Sequence, residues 1–402
     1  MTRVAMLLPN PFTHDARVER EARTLAEAGH EVRVFCLAGP GLADEETRDG
    51  YRLRRVAGPG WLSWTGPRRA VPLARWFGRY AFLAEEAAAW RPEVVHGHDL
   101  ETLLPAGRLA ARLGALHVHD DHELGLEKIG QGTESLLRGP RRWAMEAVAA
   151  ALRARGAALE RRWIPRAAAL VTACPMYGDV LRARYGVEPV VLRNTPWRSD
   201  LPPDPRLRGR AGLADGTKVA LYQGSITAGG GGQQCIAAAR DFPEGWALVF
   251  LGTTWMRPRL EAEVRAAGLG DRVKFLDPVP PAELPGFTRA ADVGLAPIRP
   301  VNLGQAYSLA NKLFEYLHAG LPIVSSDIPA QAALVRELDA GVVLPEVTPA
   351  SVAEAVRRLA ALPDAGRRAT GERLRAEARA RLCWEVESEG LVRLYARLVP
   401  AR

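Results

Sequence analysis

Residues 308–326 read Ser-Leu-Ala-Asn-Lys-Leu-Phe-Glu-Tyr-Leu-His-Ala-Gly-Leu-Pro-Ile-Val-Ser-Ser, a loop, a helix and a buried strand in direct succession. Leu313 and Phe314, with the apolar residues one turn later, give the helix an apolar face. Gly320-Leu-Pro322 ends the helix, because glycine adopts the left-handed cap and proline cannot continue it. Ile323 then begins a strand. This order is typical of a helix that packs on a parallel sheet.

The start of this helix carries one cation, Lys312, and one carboxylate, Glu315. A helix N-terminus offers unbonded N–H groups and the positive end of the helix dipole, which together suit a diphosphate. A carboxylate one turn later can accept hydrogen bonds from a ribose diol. The segment is therefore a candidate nucleotide-sugar site, and the alternative is an ordinary α/β crossover with an exposed Lys and Glu.

The motif Asn311-Lys-Leu-Phe-Glu315, followed by Gly320-Leu-Pro322, resembles the donor-binding helix of retaining, GT-B-fold glycosyltransferases, specifically glycosyltransferase family four. The resemblance implies that Glu315 is the second of two family glutamates and binds the ribose. The first glutamate would lie eight positions earlier, where this chain has Tyr307. In the family, the glutamate at this position usually contacts the sugar ring, so Tyr307 replaces a residue that binds the donor sugar.

The pattern of strands and helices predicts two α/β units. Strand and helix patterns alternate from Val4 onward, are interrupted by the proline-rich segment 194–205, and restart at Lys218. With the family resemblance, we expect a GT-B fold: two Rossmann-like, doubly wound domains facing across a cleft. The expected domains are residues 1–195, for the acceptor, and 206–384, for the nucleotide sugar, with the helical segment 385–402 packing back on the first domain.

Length and composition fit a folded enzyme of two domains. The chain has 402 residues, 48% hydrophobic and 25% charged, and four scattered cysteines without metal-like spacing. We expect reduced thiols in a cytoplasmic, bacterial protein. No apolar run is long enough to span a membrane, and the N-terminus reads as a first strand. The net charge of +8 favours anionic ligands, and the sequence carries no nucleic-acid module.

A glycine-rich loop follows the first strand of the predicted second domain. The run from Leu221 to Gln233 lets the backbone approach a ligand closely at Gly224 and Ser225. It resembles the family's first donor loop, in which an arginine contacts the diphosphate, but the aligned residue here is Gly230. Lys312 would then supply more of the positive charge, or an arginine such as Arg299 or Arg257 would substitute. The alternative is a flexible surface loop.

The donor site is completed by a segment that resembles the family's nucleobase loop. Residues 275–284 place Val279 and Pro280 where backbone atoms would read the base, and the same pattern also fits a proline-rich helix start. A uridine or a guanosine nucleotide fits equally well. The expected donor-binding residues are Gly224, Ser225, Val279, Pro280, Ser308, Leu309, Ala310, Asn311, Lys312 and Glu315.

The predicted acceptor site lies at strand ends of the first domain. The segment His117-Val-His-Asp-Asp-His-Glu-Leu124 resembles the family pattern Tyr-Asp-x-His-Glu-Leu, which carries over to Asp120, His122 and Glu123. The imidazole of His122 could orient a hydroxyl or stabilise developing charge. We expect no metal there, since consecutive strand residues point to opposite faces and few of these groups would converge.

Two earlier segments add acceptor candidates. His98 and Asp99 end the preceding strand, where a structural hydrogen-bonding role is the alternative. His14 and Asp15 follow the first strand, and Asp15 is equally suited to cap a helix. Arg17 is expected on the face of that helix rather than in the site. The expected acceptor-binding residues are His14, Asp15, His98, Asp99, Asp120, His122 and Glu123.

Residues 61–80 mix aromatic residues with arginines. Such a segment suits a membrane surface or an acceptor-lining role, and the alternative is a loop and helix packed on the sheet with extended arginines. A peripheral contact with the inner face of the membrane therefore stays open.

Together these patterns predict a glycosyltransferase that uses a nucleoside-diphosphate sugar, UDP- or GDP-linked, as co-substrate and no other cofactor. The expected catalytic residues are His122, Lys312 and Glu315, and the acceptor is a small molecule, a lipid or a glycan. Retention of configuration is implied by the resemblance alone. A non-catalytic protein that binds a sugar nucleotide, alone or with an active partner, and a sugar-nucleotide epimerase are the alternatives.

Overall fold

The computed structural model describes residues 1–13, 15–59, 73–130, 139–226 and 229–400. The chain forms two compact units, one of residues 1–193 with the C-terminal segment from Glu387, and one of residues 194–386. Within the described ranges no helix combines the length and apolar content needed to cross a membrane. Residues 61–72 of the aromatic and arginine-rich segment, and His14, lie outside these ranges.

The first unit is built on an eight-stranded sheet in the order β3-β4-β2-β1-β5-β6-β7-β8. All neighbouring strands are parallel except β3 and β4. The strands are β1 (Arg3–Leu7), β2 (Glu31–Leu37), β3 (Glu45–Arg48), β4 (Tyr51–Val56), β5 (Val94–His98), β6 (Leu116–Asp120), β7 (Ala169–Thr172) and β8 (Val190–Val191). The helices are Ala16–Glu27, Leu73–Gly78 (3₁₀), Ala81–Ala89, Asp99–Leu113, Gly125–Lys128, Pro140–Trp163, Ile164–Arg166 (3₁₀) and Pro175–Tyr185.

The second unit has a six-stranded parallel sheet in the order β11-β10-β9-β12-β13-β14. Its strands are β9 (Lys218–Gln223), β10 (Trp246–Leu251), β11 (Val273–Leu276), β12 (Val293–Ala296), β13 (Ile323–Ser326) and β14 (Gly341–Leu344). Its helices are Arg206–Arg210, Gly232–Ala238, Ala239–Asp241 (3₁₀), Arg257–Ala266, Leu284–Arg289, Leu303–Ala306, Asn311–Ala319, Pro329–Glu337, Pro349–Ala360 and Asp364–Arg381. The prediction of two Rossmann-like α/β units is confirmed.

The last helix, Trp384–Leu398, belongs to the first unit from Glu387 onward. Its Tyr395 hydroxyl lies 3.0 Å from Nδ1 of His96 on β5, and both residues are fully buried. Glu387 accepts hydrogen bonds from the backbone N–H of Arg193, at 2.9 Å, and from Nε of the same residue, at 2.8 Å. The C-terminal segment is therefore fixed to the first sheet by buried polar contacts as well as by packing.

The helix Asn311–Ala319 ends where the sequence predicts, at Gly320 with φ of 74°. Leu313 and Phe314 are fully buried, so each stabilises the unit by about 1.5–3 kcal/mol. Gly294 on β12 gives the helix its close approach, because a Cβ there would lie 2.4 Å from the ring of Tyr316. The Tyr316 hydroxyl then donates to the carbonyl of Leu221 at 2.9 Å. The helix is thereby held against the carboxyl end of β9.

Candidate functional site

The donor candidates of the second unit gather at the carboxyl edge of its sheet. The helix Asn311–Ala319 follows an N-cap alanine, Ala310, whose side chain cannot accept a hydrogen bond from the first helical N–H groups. Ser308 and Leu309 form the turn before it: the Ser308 hydroxyl donates to the Gln305 carbonyl at 3.0 Å, and Leu309 packs against the apolar core. This end of the helix is suited to an anion, since it has no side-chain acceptor of its own.

Lys312 extends from the first turn toward the end of β9. Its ammonium lies 3.9 Å from the centroid of the Tyr222 ring, and its Cε is 4.0 Å from the position of a Cβ on Gly224. Burial lowers the pKa of Lys312 to about 8, and the neighbouring Glu315 carboxylate opposes that shift. The side chain is thus a partly desolvated cation beside a glycine, which leaves room for a ligand phosphate.

Glu315 is held by a chain of side chains that sequence reasoning missed. The amide nitrogen of Gln223, the last residue of β9, donates to the Glu315 carboxylate. The amide oxygen of Gln223 lies 2.5 Å from the hydroxyl of Thr288, which is buried on the helix Leu284–Arg289. Gln223 is 2% exposed, so its contacts are with protein groups. In the sequence, the signal for Gln223 was a polar residue at the end of a mostly apolar strand.

The glycine loop packs tightly on the segment after β12. A Cβ on Gly231, which has φ of 72°, would lie 2.0 Å from the Pro297 carbonyl oxygen. The backbone N–H of Arg299 donates to the Gly229 carbonyl at 2.7 Å, and the Tyr222 hydroxyl donates to the Gly230 carbonyl at 2.7 Å. Residues 229–232 are buried, so the alternative of a flexible surface loop is wrong for this part. Close backbone packing explains why glycines stand here.

The remaining donor candidates differ in exposure. Ser225 is exposed just after Gly224. Val279, after β11, is buried in the apolar core, so only its backbone is available to a ligand, and Pro280 is exposed. Of the two arginines considered as substitutes for the missing one, Arg257 is already paired with Glu261 at 2.8 Å and with Asp277 at 2.5 Å.

The acceptor candidates of the first unit centre on His122. Its Nε2 lies 3.5 Å from Asp99 Oδ1 and its Nδ1 lies 3.7 Å from Asp120 Oδ2. Burial alone would lower the pKa of His122, but the two carboxylates outweigh it and raise that pKa to about 10. The imidazole is therefore a cation at neutral pH, and it is 13% exposed. It can attract an anion or stabilise negative charge, but it cannot accept a proton.

Asp120 joins His122 to a buried network. Arg17 donates to Asp120 from Nε at 2.7 Å and from Nη2 at 2.9 Å, and also to the Leu192 carbonyl at 2.7 Å. His98 Nδ1 lies 3.1 Å from the same carboxylate. The prediction that Arg17 belongs to a helix face outside the site is wrong: it is 4% exposed and lies at the centre of this network. The available signal in the sequence was Glu21, which lies four residues after Arg17 and therefore on the same face of the helix.

Four groups of this network come close enough to hold an ion: Glu21, His96, His98 and Asp120, whose ligand atoms lie within 4.8 Å of one another. They converge from the helix Ala16–Glu27 and from the neighbouring strands β5 and β6. The expectation that few such groups would converge took account of consecutive residues of one strand alone. The Arg17 guanidinium, however, lies 3.0 Å from the Glu21 carboxylate as well as bonding Asp120. The Arg17 guanidinium thus contacts both acidic groups of this cluster.

The acceptor candidates differ in how far their side chains are exposed to solvent. His98 and Asp120 are fully buried, so their contacts are with protein groups. Asp99 is partly exposed, begins its helix with φ of 64°, and lies 3.9 Å from the Lys128 ammonium. Glu123 is exposed and pairs with Lys128 at 2.5 Å. The positive φ strains the backbone at Asp99, and backbone strain of this kind clusters at functional sites.

Asp15 caps the helix Ala16–Glu27. Its Oδ1 accepts from the Val18 N–H at 3.2 Å, and its Oδ2 accepts from the Asn10 amide at 2.9 Å. The capping alternative raised for Asp15 is thus confirmed, and its carboxylate is occupied by two donors.

Two protein-family models match this chain, one in each half. Residues 14–196 match a family model described as a glycosyl transferase 4-like domain, and residues 220–361 match one described as glycosyl transferases group 1. A D-inositol 3-phosphate glycosyltransferase of Xylanimonas cellulosilytica is 30% identical over 237 residues, and the match spans 56% of this chain and about half (54%) of that protein. The protein of the same name from Acidothermus cellulolyticus is 28% identical over 405 residues, spanning 94% of this chain and 84% of that one.

Solved structures show the same fold at low identity. Sucrose-phosphate synthase from Thermosynechococcus elongatus superposes with a TM-score of 0.77 at 20% identity, over 99% of both chains. The Anabaena protein HepE in complex with UDP and glucose gives a TM-score of 0.72 at 14% identity, over 99% of this chain and 100% of that one. The two family domains, which lie one in each unit of a GT-B fold, show that this chain belongs to the glycosyltransferases of group 1 type, a family of enzymes.

Proposed function

We propose that this protein transfers a sugar from a nucleoside-diphosphate sugar to a hydroxyl group of a sugar- or polyol-type acceptor, with retention of configuration. The observation that carries the proposal is the joint placement of Lys312 and Glu315 at an uncapped helix N-terminus beside Gly224. The helix end and Lys312 would bind the diphosphate, and Glu315, held by Gln223, would accept hydrogen bonds from the ribose.

The reaction requires stabilisation of the leaving group. The bond between the anomeric carbon and the diphosphate oxygen breaks, a bond from the acceptor oxygen to that carbon forms on the same face, and the acceptor proton passes to the leaving diphosphate. Negative charge grows on the diphosphate as the bond breaks, so Lys312 and the helix N-terminus would bind the transition state more tightly than the ground state. Retention rests on the family resemblance and is tested by the anomeric configuration of the product.

A UDP-sugar is the first donor to test, because the HepE structures are described with UDP and with UDP-glucose. A phosphorylated polyol is the first acceptor to test, because several relatives are named D-inositol 3-phosphate glycosyltransferase. The cationic state of His122 supports an acceptor that carries negative charge. In this proposal His122 and Asp99 contact the acceptor, and Asp120 and His98 position them.

The test is calorimetric titration of the full chain with UDP, GDP, ADP and dTDP. We expect selective binding of one nucleotide, and a loss of at least tenfold in affinity in Glu315→Gln. Glu354→Gln is the matched control, since Glu354 is an exposed glutamate of the same unit. Failure of all four nucleotides to bind would contradict the proposed donor site.

A second candidate function is a protein that binds a sugar nucleotide without turning it over. It is favoured by Tyr307 and Gly230, which stand where the family has a glutamate and an arginine. Transfer to any acceptor, or donor hydrolysis, that is lost in Lys312→Met would exclude it. Tight nucleotide binding without turnover over a broad acceptor panel would favour it.

A further inference from the structure

A second cluster of cations lies at the opposite edge of the second sheet from the donor residues. Lys218 begins β9, Asp292 precedes β12 and Pro322 precedes β13, so all three mark the amino ends of strands. They line a cleft of about 400 Å³ together with side chains of the helix Asp364–Arg381. In a parallel sheet the amino and carboxyl edges are opposite, so this cleft is separate from the site around Lys312.

Most carboxylates of the cleft are already neutralised. Asp292 lies 3.1 Å from the Lys218 ammonium and 3.0 Å from the guanidinium of Arg208. Asp364 pairs with Arg367. The lining that is left has three arginines, Arg289, Arg368 and Arg375, against one carboxylate, Glu372. The cleft therefore has an excess of positive charge.

Two of these arginines, Arg289 and Arg375, form no ion pair with a carboxylate in the described part of the chain. Arg289 donates to the Leu201 carbonyl at 3.0 Å, and Arg375 Nη1 lies 2.7 Å from the position of a Cβ on Gly320. Burial and the charge of Arg289 lower the pKa of Arg375, and the charge of Glu372 opposes that shift. Two neighbouring guanidinium groups of like charge are suited to share an anion, and their planar forks match phosphate oxygens.

We propose that this cleft binds a phosphoryl group, held by Arg289 and Arg375, at a site distinct from the donor site. Gly320 ends the helix Asn311–Ala319, and a Cβ there would lie 2.6 Å from the Gly371 carbonyl, so the two helices are in close contact. The bound group thus lies at the C-terminal end of the helix whose first turn carries Lys312. A helix C-terminus repels anions, so the affinity depends on the arginines.

The test is calorimetric titration of the full chain with inorganic pyrophosphate at constant ionic strength, in wild type and in Lys312→Met. We expect saturable binding that survives Lys312→Met and weakens at least tenfold in Arg289→Gln/Arg375→Gln. Arg265→Gln, an exposed arginine of the same unit, is the matched control and leaves binding unchanged. Arg375→Lys keeps the charge but loses the fork, and it serves as the second variant if the double variant does not fold.

Two results would overturn the proposal. Equal pyrophosphate affinity in wild type and in the folded double variant would show that Arg289 and Arg375 do not bind the phosphoryl group. Complete loss in Lys312→Met alone would assign all binding to the donor helix, which would leave the proposed function intact.

Co-sedimentation with phosphatidylglycerol vesicles, compared with phosphatidylcholine vesicles, identifies the source of the phosphoryl group. Binding to free pyrophosphate indicates a soluble ligand, whereas arginine-dependent binding to the anionic vesicles alone indicates a lipid headgroup.

Discussion

The side-chain amide of Gln223 donates a hydrogen bond to the carboxylate of Glu315, across 92 positions of the sequence. This contact helps to orient the Glu315 carboxylate on a half-buried helix face. Thr288 in turn fixes the amide, because its hydroxyl lies 2.5 Å from the Gln223 oxygen. The geometry of the proposed ribose contact therefore depends on a residue that belongs to a strand.

Replacing Gln223 by leucine should weaken nucleotide binding although Gln223 does not contact the ligand. The carboxylate of Glu315 would lose its donor, and we expect a loss of about tenfold in affinity, as for one charge-assisted hydrogen bond. Calorimetric titration measures the change. Gln233→Leu is the control, since Gln233 bonds the carboxylate of Glu263 at 2.9 Å on another helix. Equal losses in the two variants would contradict a specific role of Gln223.

Nucleotide affinity should fall as the pH rises above 8. The pKa of Lys312 is lowered to about 8 by burial, so the ammonium loses its proton over the range in which the nucleotide phosphates stay ionised. We expect the affinity for the preferred nucleotide to fall about tenfold between pH 7 and pH 9. Lys312→Met should bind more weakly at pH 7 and show a flat profile. A profile of equal slope in that variant would assign the titration to another group.

His122 should remain protonated throughout the neutral range. Asp99 and Asp120 raise its pKa to about 10, so imidazole NMR signals of His122 should not titrate between pH 5 and pH 8. Asp99→Asn removes one carboxylate, which should lower the pKa of His122 and move a titration into the measured range. Asp179→Asn, on the surface, is the control. A wild-type His122 that titrates near pH 6.5 would contradict this account of its charge.

A buried carboxyl group should make the fold less stable in mild base. Burial, and to a lesser extent Asp121, raise the pKa of Glu160 to about 8, while its hydrogen bond from Tyr185 opposes the shift. The folded state then binds a proton that the unfolded chain releases, so stability falls as the pH rises from about 4.5 through 8. Glu160→Gln should lessen this loss, gaining on the order of a few kcal/mol over wild type at pH 9 relative to pH 5. Urea unfolding at both pH values measures the difference, and an equal loss in both proteins would contradict it.

Alanine at position 231 should destabilise the second unit by more than its backbone conformation alone requires. The positive φ costs about 1–2 kcal/mol for a non-glycine residue, and the Cβ would overlap the Pro297 carbonyl at 2.0 Å. Gly268→Ala is the matched control, because Gly268 has φ of 66° and no neighbour within 4 Å. Urea unfolding should show a larger loss for Gly231→Ala, and equal losses would show that the loop can move away.

Much of the fold could be predicted from local patterns. The alternation of strand and helix patterns predicts the second unit from Lys218 onward, and β9 begins there. The strand β3 reads Glu-Glu-Thr-Arg and has no apolar alternation. It pairs antiparallel with β4, and its Glu45 and Glu46 form ion pairs with Arg54 and Arg55 of that strand. In the donor site, Lys312 and Glu315 could be found because they lie in one short motif. Gln223 and Thr288 could not, since they reach Glu315 from distant positions in the sequence.

The sequence by itself determined the two α/β units, the helix Asn311–Ala319 and the resemblance to glycosyltransferases, since each depends on periodicity or on residues close together along the chain. The tertiary structure decided which charges are paired. Arg17 is predicted on a helix face outside the site, yet it donates to Asp120, which is 103 positions away. His122 lies beside the carboxylates of Asp99, which begins the helix after β5, and of Asp120, which ends β6. The charge of a buried group depends on its neighbours in space, and those are fixed only when the strands come together.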